Sequence, residues 1–232
     1  MSKIEKFLTV FITYRGYVRV LLGLKNTMII AVTGLLIGVV IGTLIATVRV
    51  VPKYKLLPRV LDKICNFYVA LFRVTPIVVQ LLVFYFVLFP LLNVPITSVA
   101  VSILVFGLNS GAYVSEIMRS GIQSVDPGQM EAGRALGLSF GRTMWEIVIP
   151  QAVKNILPTL GNEFIALIKE TSVISFVGAA DLYAAFSYIG SNSYEFMVPF
   201  TVMAIIYIIL VLFITMLIRL MERRLAVSDR RH

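Results

Sequence analysis

Long apolar runs, separated by short polar segments, make up most of this chain. A helix needs about 20 mostly apolar residues to cross a bilayer whose hydrocarbon core is about 30 Å thick. The run at 155–180 is interrupted by proline, glycine and charged residues, and such stretches persist at membrane depth only where they face protein or a cavity. The pattern predicts an all-α membrane protein with five transmembrane helices, at about 26–49, 62–89, 96–118, 155–180 and 197–219.

The first 23 residues have a different periodicity. Apolar side chains recur there at steps of three and four residues, beginning with Phe7, Phe11 and Tyr14, while Arg15 and Arg19 lie off that stripe. The apolar core is too short for a signal peptide, and no small-residue cleavage site follows. We predict an interfacial amphipathic helix at 1–23, a transmembrane domain at 24–222 and a basic tail at 223–232.

Small residues recur at every fourth position of the first predicted span. Gly34, Gly38 and Gly42 share one face of the helix, and Ala46 continues the row. Such a row lets another helix approach closely. The alternative is that the glycines are scattered without a packing role, because glycine is common in membrane helices.

Lysine and arginine residues alternate in abundance from one predicted loop to the next. Segment 49–63 contains five of them, the loop at 90–95 contains none, 119–154 is again basic, and 181–195 has none. Basic loops stay in the cytoplasm, which places the N-terminus outside and the arginine-rich tail at 223–232 inside. Basic residues near the N-terminus depart from this rule, and we assign them to contact with anionic lipid in the bilayer.

The composition agrees with a membrane protein and excludes several other classes. Hydrophobic residues make up 59% of the 232 residues, charged residues 14%, and the mean hydropathy is +0.92. These values disfavour a soluble enzyme, a coiled coil and a disordered chain. The net charge of +9 comes from residues at the ends of apolar runs, so no nucleic acid partner is expected. With one cysteine and one histidine, the chain has no cysteine-based metal site and no histidine-based catalytic centre.

The segment at 120–150 is too long and too patterned for a simple connector. Asp126 followed by Pro127 is a helix-start signal, with Asp as the cap and Pro at the first helical position. Gly137 then ends a short helix, and Ser139 begins another turn. A short cytoplasmic helix flanked by glycine is suited to docking a soluble partner.

This segment also carries a specific motif. It reads Glu131-Ala132-Gly133, three residues, Gly137, nine residues, then Ile147-x-Ile149-Pro150. The motif resembles the "EAA" loop of ABC importer permeases, with Gly133 in place of Ala and Ile149 in place of Leu. Three further segments, Arg73-Val74-Thr75-Pro76, 112–121 and 169–172, are similar to the polar amino acid uptake branch of that family.

The resemblance implies a type I ABC importer permease fold with a cytoplasmic coupling helix. The chain would then be the permease subunit that carries a polar amino acid into the cytoplasm across a bacterial cell (inner or plasma) membrane. It would work with a cytoplasmic ABC ATPase dimer, a second permease subunit, identical or homologous, and an extracytoplasmic substrate-binding protein. No phosphate-binding loop is present, so ATP binding falls to the partner, and no cofactor is expected. The implied ATPase-coupling residues are Gln129, Glu131, Ala132, Gly133, Ala135, Leu136 and Gly137.

Two other functions fit an apolar chain of this size. A stand-alone channel or secondary transporter for a small polar solute would show an inverted repeat of its spans, and none is visible. A membrane-embedded enzyme would need clustered nucleophiles, bases or metal ligands. No His or Cys set exists for this, although acidic residues alone could serve.

Polar residues inside the predicted spans are the candidates for a substrate site. Arg73 lies roughly 15 Å along its helix from the cytoplasmic end, near mid-membrane. Asn109, Tyr113 and Glu116 form one polar stripe on the third span. Such residues bind a substrate or form structural pairs between helices, and both interpretations remain open. A zwitterionic amino acid needs hydrogen-bond donors for its carboxylate and acceptors for its ammonium group. Because the predicted spans carry both positive and negative side chains, a substrate with a basic, acidic or amide side chain fits. The candidate substrate-binding residues are Arg73, Thr75, Asn109, Tyr113, Glu163, Lys169 and Glu170.

Overall fold

Helices account for all the regular secondary structure in the described part of the chain, as the apolar runs predicted. The computed structural model of the protein describes residues 2–51 and 54–229, with residues 224–229 described by their backbone only. The predicted tail at 223–232 therefore lies partly outside the described residues. The α-helices are α1 (Lys3–Leu8), α2 (Gly16–Val50), α3 (Leu56–Val74), α4 (Ile77–Val83), α5 (Phe89–Leu91), α6 (Ser98–Gln123), α7 (Pro127–Ala135), α8 (Phe140–Thr143), α9 (Ile149–Glu170), α10 (Leu182–Ser193) and α11 (Met197–Asp229). Turns of π-helix lie at Thr9–Thr13, Phe84–Leu88 and Met144–Val148, and a 3₁₀ turn at Thr171–Val177.

Three of these helices are long and apolar enough to cross a membrane. They are α2, α6 and the Met197–Arg223 part of α11, with mean hydropathies of 2.6, 1.5 and 2.9. Two further candidates are helix pairs that bend, by 105° between Val74 and Ile77 and by 55° between Val177 and Leu182. The all-α membrane fold is confirmed, and the described residues make up to five crossings if each bent pair counts as one span.

The second predicted span, at 62–89, is broken where the sequence pattern suggested a continuous helix. α3 ends at Val74, and Thr75 adopts an extended conformation with φ −91° and ψ 137°. Pro76 explains this, because its ring disfavours the helical conformation of the residue before it and it has no N–H to donate. The result is a sharp bend of 105°.

The fourth predicted span, at 155–180, is interrupted at its C-terminal end. α9 begins earlier, at Ile149, and Pro158 lies inside it without ending it. After α9 the chain forms the 3₁₀ turn, which ends at Val177. The next residue, Gly178, has a left-handed backbone conformation with φ +74°. The side chain of Asp181 then accepts a hydrogen bond from the Ala184 N–H and begins α10.

The predicted helix at 1–23 is two helices in the structure. Arg15 has a left-handed conformation with φ 55°, and α2 begins at Gly16 and continues into the first span. Glycine suits position 16 because it has no Cβ; a Cβ there would lie too close to the Val10 carbonyl oxygen, at 2.9 Å. Phe7 and Val10 are buried against α10, so part of the predicted apolar stripe meets protein. Its location at the membrane surface stays a prediction.

The glycine row on α2 is the place where α6 packs, which confirms the predicted close approach. A Cβ at Gly38 would lie 2.6 Å from Ser110 Oγ, and one at Gly42 would lie 2.6 Å from Val114 Cγ1. The approach is mutual, since a Cβ at Gly107 of α6 would meet Ile37 Cγ2 at 2.6 Å. The α2–α6 pair is therefore closely packed, and this packing positions the polar residues of α6.

Candidate functional site

A buried hydrogen-bond network occupies the bend between α3 and α4. Gln80 Nε2 donates to the Phe72 carbonyl at 2.9 Å and to Thr75 Oγ1 at 2.8 Å. Asn109 Nδ2, from α6, donates to Gln80 Oε1 at 3.0 Å and to the Phe72 carbonyl at 3.3 Å. Gln80 and Asn109 are 7% and 4% exposed. The network satisfies a carbonyl freed by the helix break and ties the broken span to α6.

Two of the candidate substrate-binding residues therefore have partners within the chain. The amide group of Asn109 and the hydroxyl of Thr75 both bond inside this network, which supports a role in shaping the bend. Gln80 is the member absent from the predicted set. Its signal was present in the sequence, because it lies seven residues after Arg73 and a polar side chain in an apolar run needs a partner.

Next to the bend, α3 and α6 enclose a polar cleft of about 460 Å³. The Arg73 guanidinium carbon lies 5.5 Å from the centroid of the Tyr113 ring, in cation–π geometry. Among the described residues no carboxylate forms an ion pair with Arg73. The structure thus brings two predicted residues together and leaves one charge without a counter-ion. The cleft is lined by Arg49, Asn66, Val69, Ala70, Arg73, Val74, Tyr113 and Glu116.

Glu116, which also lines the cleft, is already paired with two arginines. It forms an ion pair with Arg49 of α2 and a second with Arg119, whose Nη2 lies 2.7 Å from Glu116 Oε2. This bridge joins the C-terminal parts of α2 and α6. No described carboxylate that lines the cleft is left without an arginine partner. An anion that enters the cleft therefore meets a positive electrostatic environment.

The remaining candidate residues lie on α9, away from this cleft. Glu163 is half-buried and accepts a hydrogen bond of 2.9 Å from Ser110 Oγ of α6. Lys169 and Glu170 are exposed at the end of α9. Lys169 borders a second cleft of about 580 Å³ against α10 and α11, also lined by Tyr207. Within this single chain the seven candidate residues do not share one cavity.

The segment at 120–150 folds as its sequence signals predicted. Asp126 caps α7 by accepting a hydrogen bond of 2.8 Å from the Gly128 N–H, and Pro127 occupies the first turn. Gly137 follows the helix with φ +81°, a conformation that favours glycine. Ser139 caps α8. The predicted coupling residues are exposed except Gly133; the exposed ones are Gln129, Glu131, Ala132, Ala135, Leu136 and Gly137.

Gly133 is buried because α7 packs against α8 at that point. A Cβ there would lie 2.4 Å from Thr143 Cγ2, and Thr143 is completely buried. This contact explains why glycine stands where the motif usually has alanine. It also fixes the orientation of the exposed face of α7.

Two further contacts join this segment to the start of α9. Gln151 Nε2 donates to Gln129 Oε1 at 3.2 Å, and Asn155 Nδ2 donates to Ser124 Oγ at 2.8 Å. The first of these bonds links α7 to α9, the helix that also carries Glu163 and Lys169.

Comparisons with known proteins agree with one another. Residues 34–227 match the family described as "Binding-protein-dependent transport system inner membrane component". The arginine transport system permease protein ArtQ of Bacillus subtilis is 36% identical over 90% of this chain and 94% of that protein. The glutamine transport system permease protein GlnP of Escherichia coli is 34% identical over 88% of this chain and 92% of its own length. A crystal structure of an amino acid ABC transporter with histidines superposes with a TM-score of 0.84 and 36% identity, over 91% of this chain and 96% of that one.

Proposed function

This chain belongs to the family of binding-protein-dependent transport system inner membrane components, and we propose that it takes a polar amino acid through the membrane into the cytoplasm. It is a multi-pass inner membrane protein and the permease subunit of an ABC importer, without an ATPase domain of its own. Hydrolysis of ATP is the work of a partner, and substrate is delivered by a binding protein. Family membership decides against the stand-alone channel, the secondary transporter and the membrane enzyme.

The substrate class rests on the relatives' names together with one observation in the cleft. Those names specify arginine, glutamine and, in the solved structure, an amino acid transporter with histidines. Arg73 lies inside a span, yet no described carboxylate pairs with it. An intramembrane charge of this kind is costly unless a partner is supplied during function. The α-carboxylate common to all amino acids would supply it, held by the guanidinium beside the Tyr113 ring.

The other candidate residues would have separate roles around this contact. Glu163 offers a carboxylate for an ammonium group, and its bond to Ser110 holds it toward α6. Lys169 and Glu170 would join the site as α9 moves during transport. Thr75 and Asn109 would hold the bend that presents Arg73.

The exposed face of α7 is the proposed docking surface for the ATPase. Leu136 is 82% exposed although apolar, and an exposed apolar side chain at a helix end is suited to burial in a groove of a partner. We propose that two such permease chains, identical or homologous, each place one α7 on one subunit of an ATPase dimer.

Uptake by the reconstituted complex tests the function directly. We expect vesicles containing this chain, the partner ATPase and the binding protein to accumulate labelled glutamine or arginine only when ATP is supplied on the cytoplasmic side. An excess of an unlabelled polar amino acid should compete, whereas leucine should not. Accumulation without the ATPase, or driven by an ion gradient alone, would contradict the proposal.

Membrane orientation is a separate proposal with its own test. The basic segments 49–63 and 119–154 should lie in the cytoplasm, with the loop after α5 outside. In a Cys65→Ala background, Leu92→Cys should react with an impermeant thiol reagent from the outside only, and Leu136→Cys from the inside only. Both positions are exposed, at 59% and 82%. Reaction of Leu92→Cys from the cytoplasmic side alone would reverse the assigned topology.

A further inference from the structure

An apolar groove of about 310 Å³ lies at the cytoplasmic ends of α2 and α6. Its third wall is formed by α8, the following π turn and the start of α9. It is separate from the polar cleft at Arg73, and none of the proposed transport residues lines it. The side chains that line it include Ala46, Val50, Met118, Ile122, Met144 and Ile156.

The walls of the groove offer few polar groups to a ligand. Its lining is almost entirely hydrocarbon, and the hydroxyl of Thr47, one of its two threonines, is used locally, donating to the Thr43 carbonyl at 2.8 Å. Ala152 is completely buried and forms part of the floor. No buried polar atom without a partner is found among its lining residues. The groove therefore suits a flexible hydrocarbon and excludes the amino acid cargo.

The position of the groove identifies the source of that hydrocarbon. It continues a stripe on α2 formed by Leu36, Val40 and Leu44, which are 61%, 61% and 64% exposed. α2 carries no charged side chain between Lys25 and Arg49, and only 28% of its most apolar window is buried within the chain, as is typical of a stripe that faces the bilayer interior. Trp145, 73% exposed, stands at the rim of the groove, and tryptophan concentrates where hydrocarbon meets headgroups.

We propose that this groove binds one acyl chain of a phospholipid from the inner leaflet, with its headgroup beside Trp145. The lipid would fill the gap between the span α2 and the π turn Met144–Val148, which connects α8 to α9. It would thus support the segment that carries α7 from the membrane side. Chain length and apolar contact, with no headgroup contact needed, would determine binding.

The single tryptophan of the chain allows a direct measurement. The full-length chain is reconstituted in phosphatidylcholine vesicles containing an increasing fraction of phosphatidylcholine brominated on its acyl chains, which quench tryptophan on contact. Thr47→Phe and Val153→Phe each place a ring in the groove and should lower quenching of Trp145 by at least half. Val40→Phe adds the same ring to the lipid-facing stripe outside the groove. In this variant Trp145 should be quenched as strongly as in the unmodified chain.

Mass spectrometry of the detergent-purified chain supplies a second readout. After extensive washing, one phosphatidylcholine should remain on the unmodified chain and on Val40→Phe, and none on the two groove variants. Folding is checked by helicity, so that lost lipid and lost structure are distinguished. Equal quenching and equal lipid retention in all folded variants would overturn the proposal. The proposal would also be overturned if Trp145 were protected from brominated lipid and Thr47→Cys formed a cross-link to a second copy of the chain. The groove would then be an interface between two copies.

Discussion

Replacement of Arg73 by glutamine is expected to lower the amino acid uptake rate by roughly ten- to a hundred-fold while leaving the complex assembled. A hydrogen bond to a charged group contributes about 1.5–3 kcal/mol, and about 1.4 kcal/mol corresponds to a factor of ten. The Arg73 guanidinium contacts the face of the Tyr113 ring but no described carboxylate. Its removal should therefore cost binding energy for the cargo without leaving an unpaired acid behind in the fold.

Matched variants separate this effect from a general loss of positive charge. Arg59→Gln makes the same change near the N-terminal end of α3 and should retain most of the uptake. Tyr113→Phe keeps the aromatic face and should be close to the unmodified protein, whereas Tyr113→Ala should weaken uptake. The assignment fails if Arg73→Gln reduces the amount of folded complex in proportion to transport, because Arg73 would then be a structural residue.

The second large effect is expected at Gly133, where α7 meets α8. Gly133→Ala places a methyl group 2.4 Å from Thr143 Cγ2, and Thr143 is completely buried. Overpacking of this kind costs about 1–3 kcal/mol. We expect α7 to be displaced from α8, so that ATP hydrolysis stimulated by liganded binding protein falls about tenfold.

Gly141 provides a control within the same segment. A Cβ at Gly141 would meet no atom within 4 Å, so Gly141→Ala should leave stimulated hydrolysis nearly unchanged. Combining Gly133→Ala with Thr143→Ala removes the clashing methyl and should restore part of the lost coupling. If Gly133→Ala behaves like Gly141→Ala in a correctly assembled complex, the α7–α8 contact does not transmit the signal.

The helices of the segment at 120–150 were predictable from sequence because their signals act over a few residues. The Asp126 cap, the proline at the first helical position and a glycine with positive φ each determine the backbone locally. The family motif lies on the same residues. The tight contact between Gly133 and Thr143 was not predictable, since it depends on how two short helices meet in space.

The candidate substrate site was only partly predictable. Depth along a helix follows from counting residues, so placing Arg73, Asn109 and Glu163 within spans needed no tertiary information. The partner that each of these side chains meets in the folded chain does not follow from such counting. Asn109 bonds Gln80 across the bend, whereas Arg73 lies against Tyr113 in the neighbouring cleft, and the sequence pattern does not distinguish these two outcomes.

The sequence by itself determined that this is an all-helical membrane protein with a capped short helix between its third and fourth spans. The reason is that long apolar runs in a bilayer must satisfy their own backbone hydrogen bonds, and helices do so locally. Only the tertiary structure decided that the second span bends by 105° at Thr75–Pro76. A membrane helix continues through a proline, kinks at it or breaks there, depending on whether neighbouring groups satisfy the carbonyls that the proline frees. Here Gln80 and Asn109, 29 residues apart in sequence, provide those groups together, and such a pairing exists only after the helices have packed.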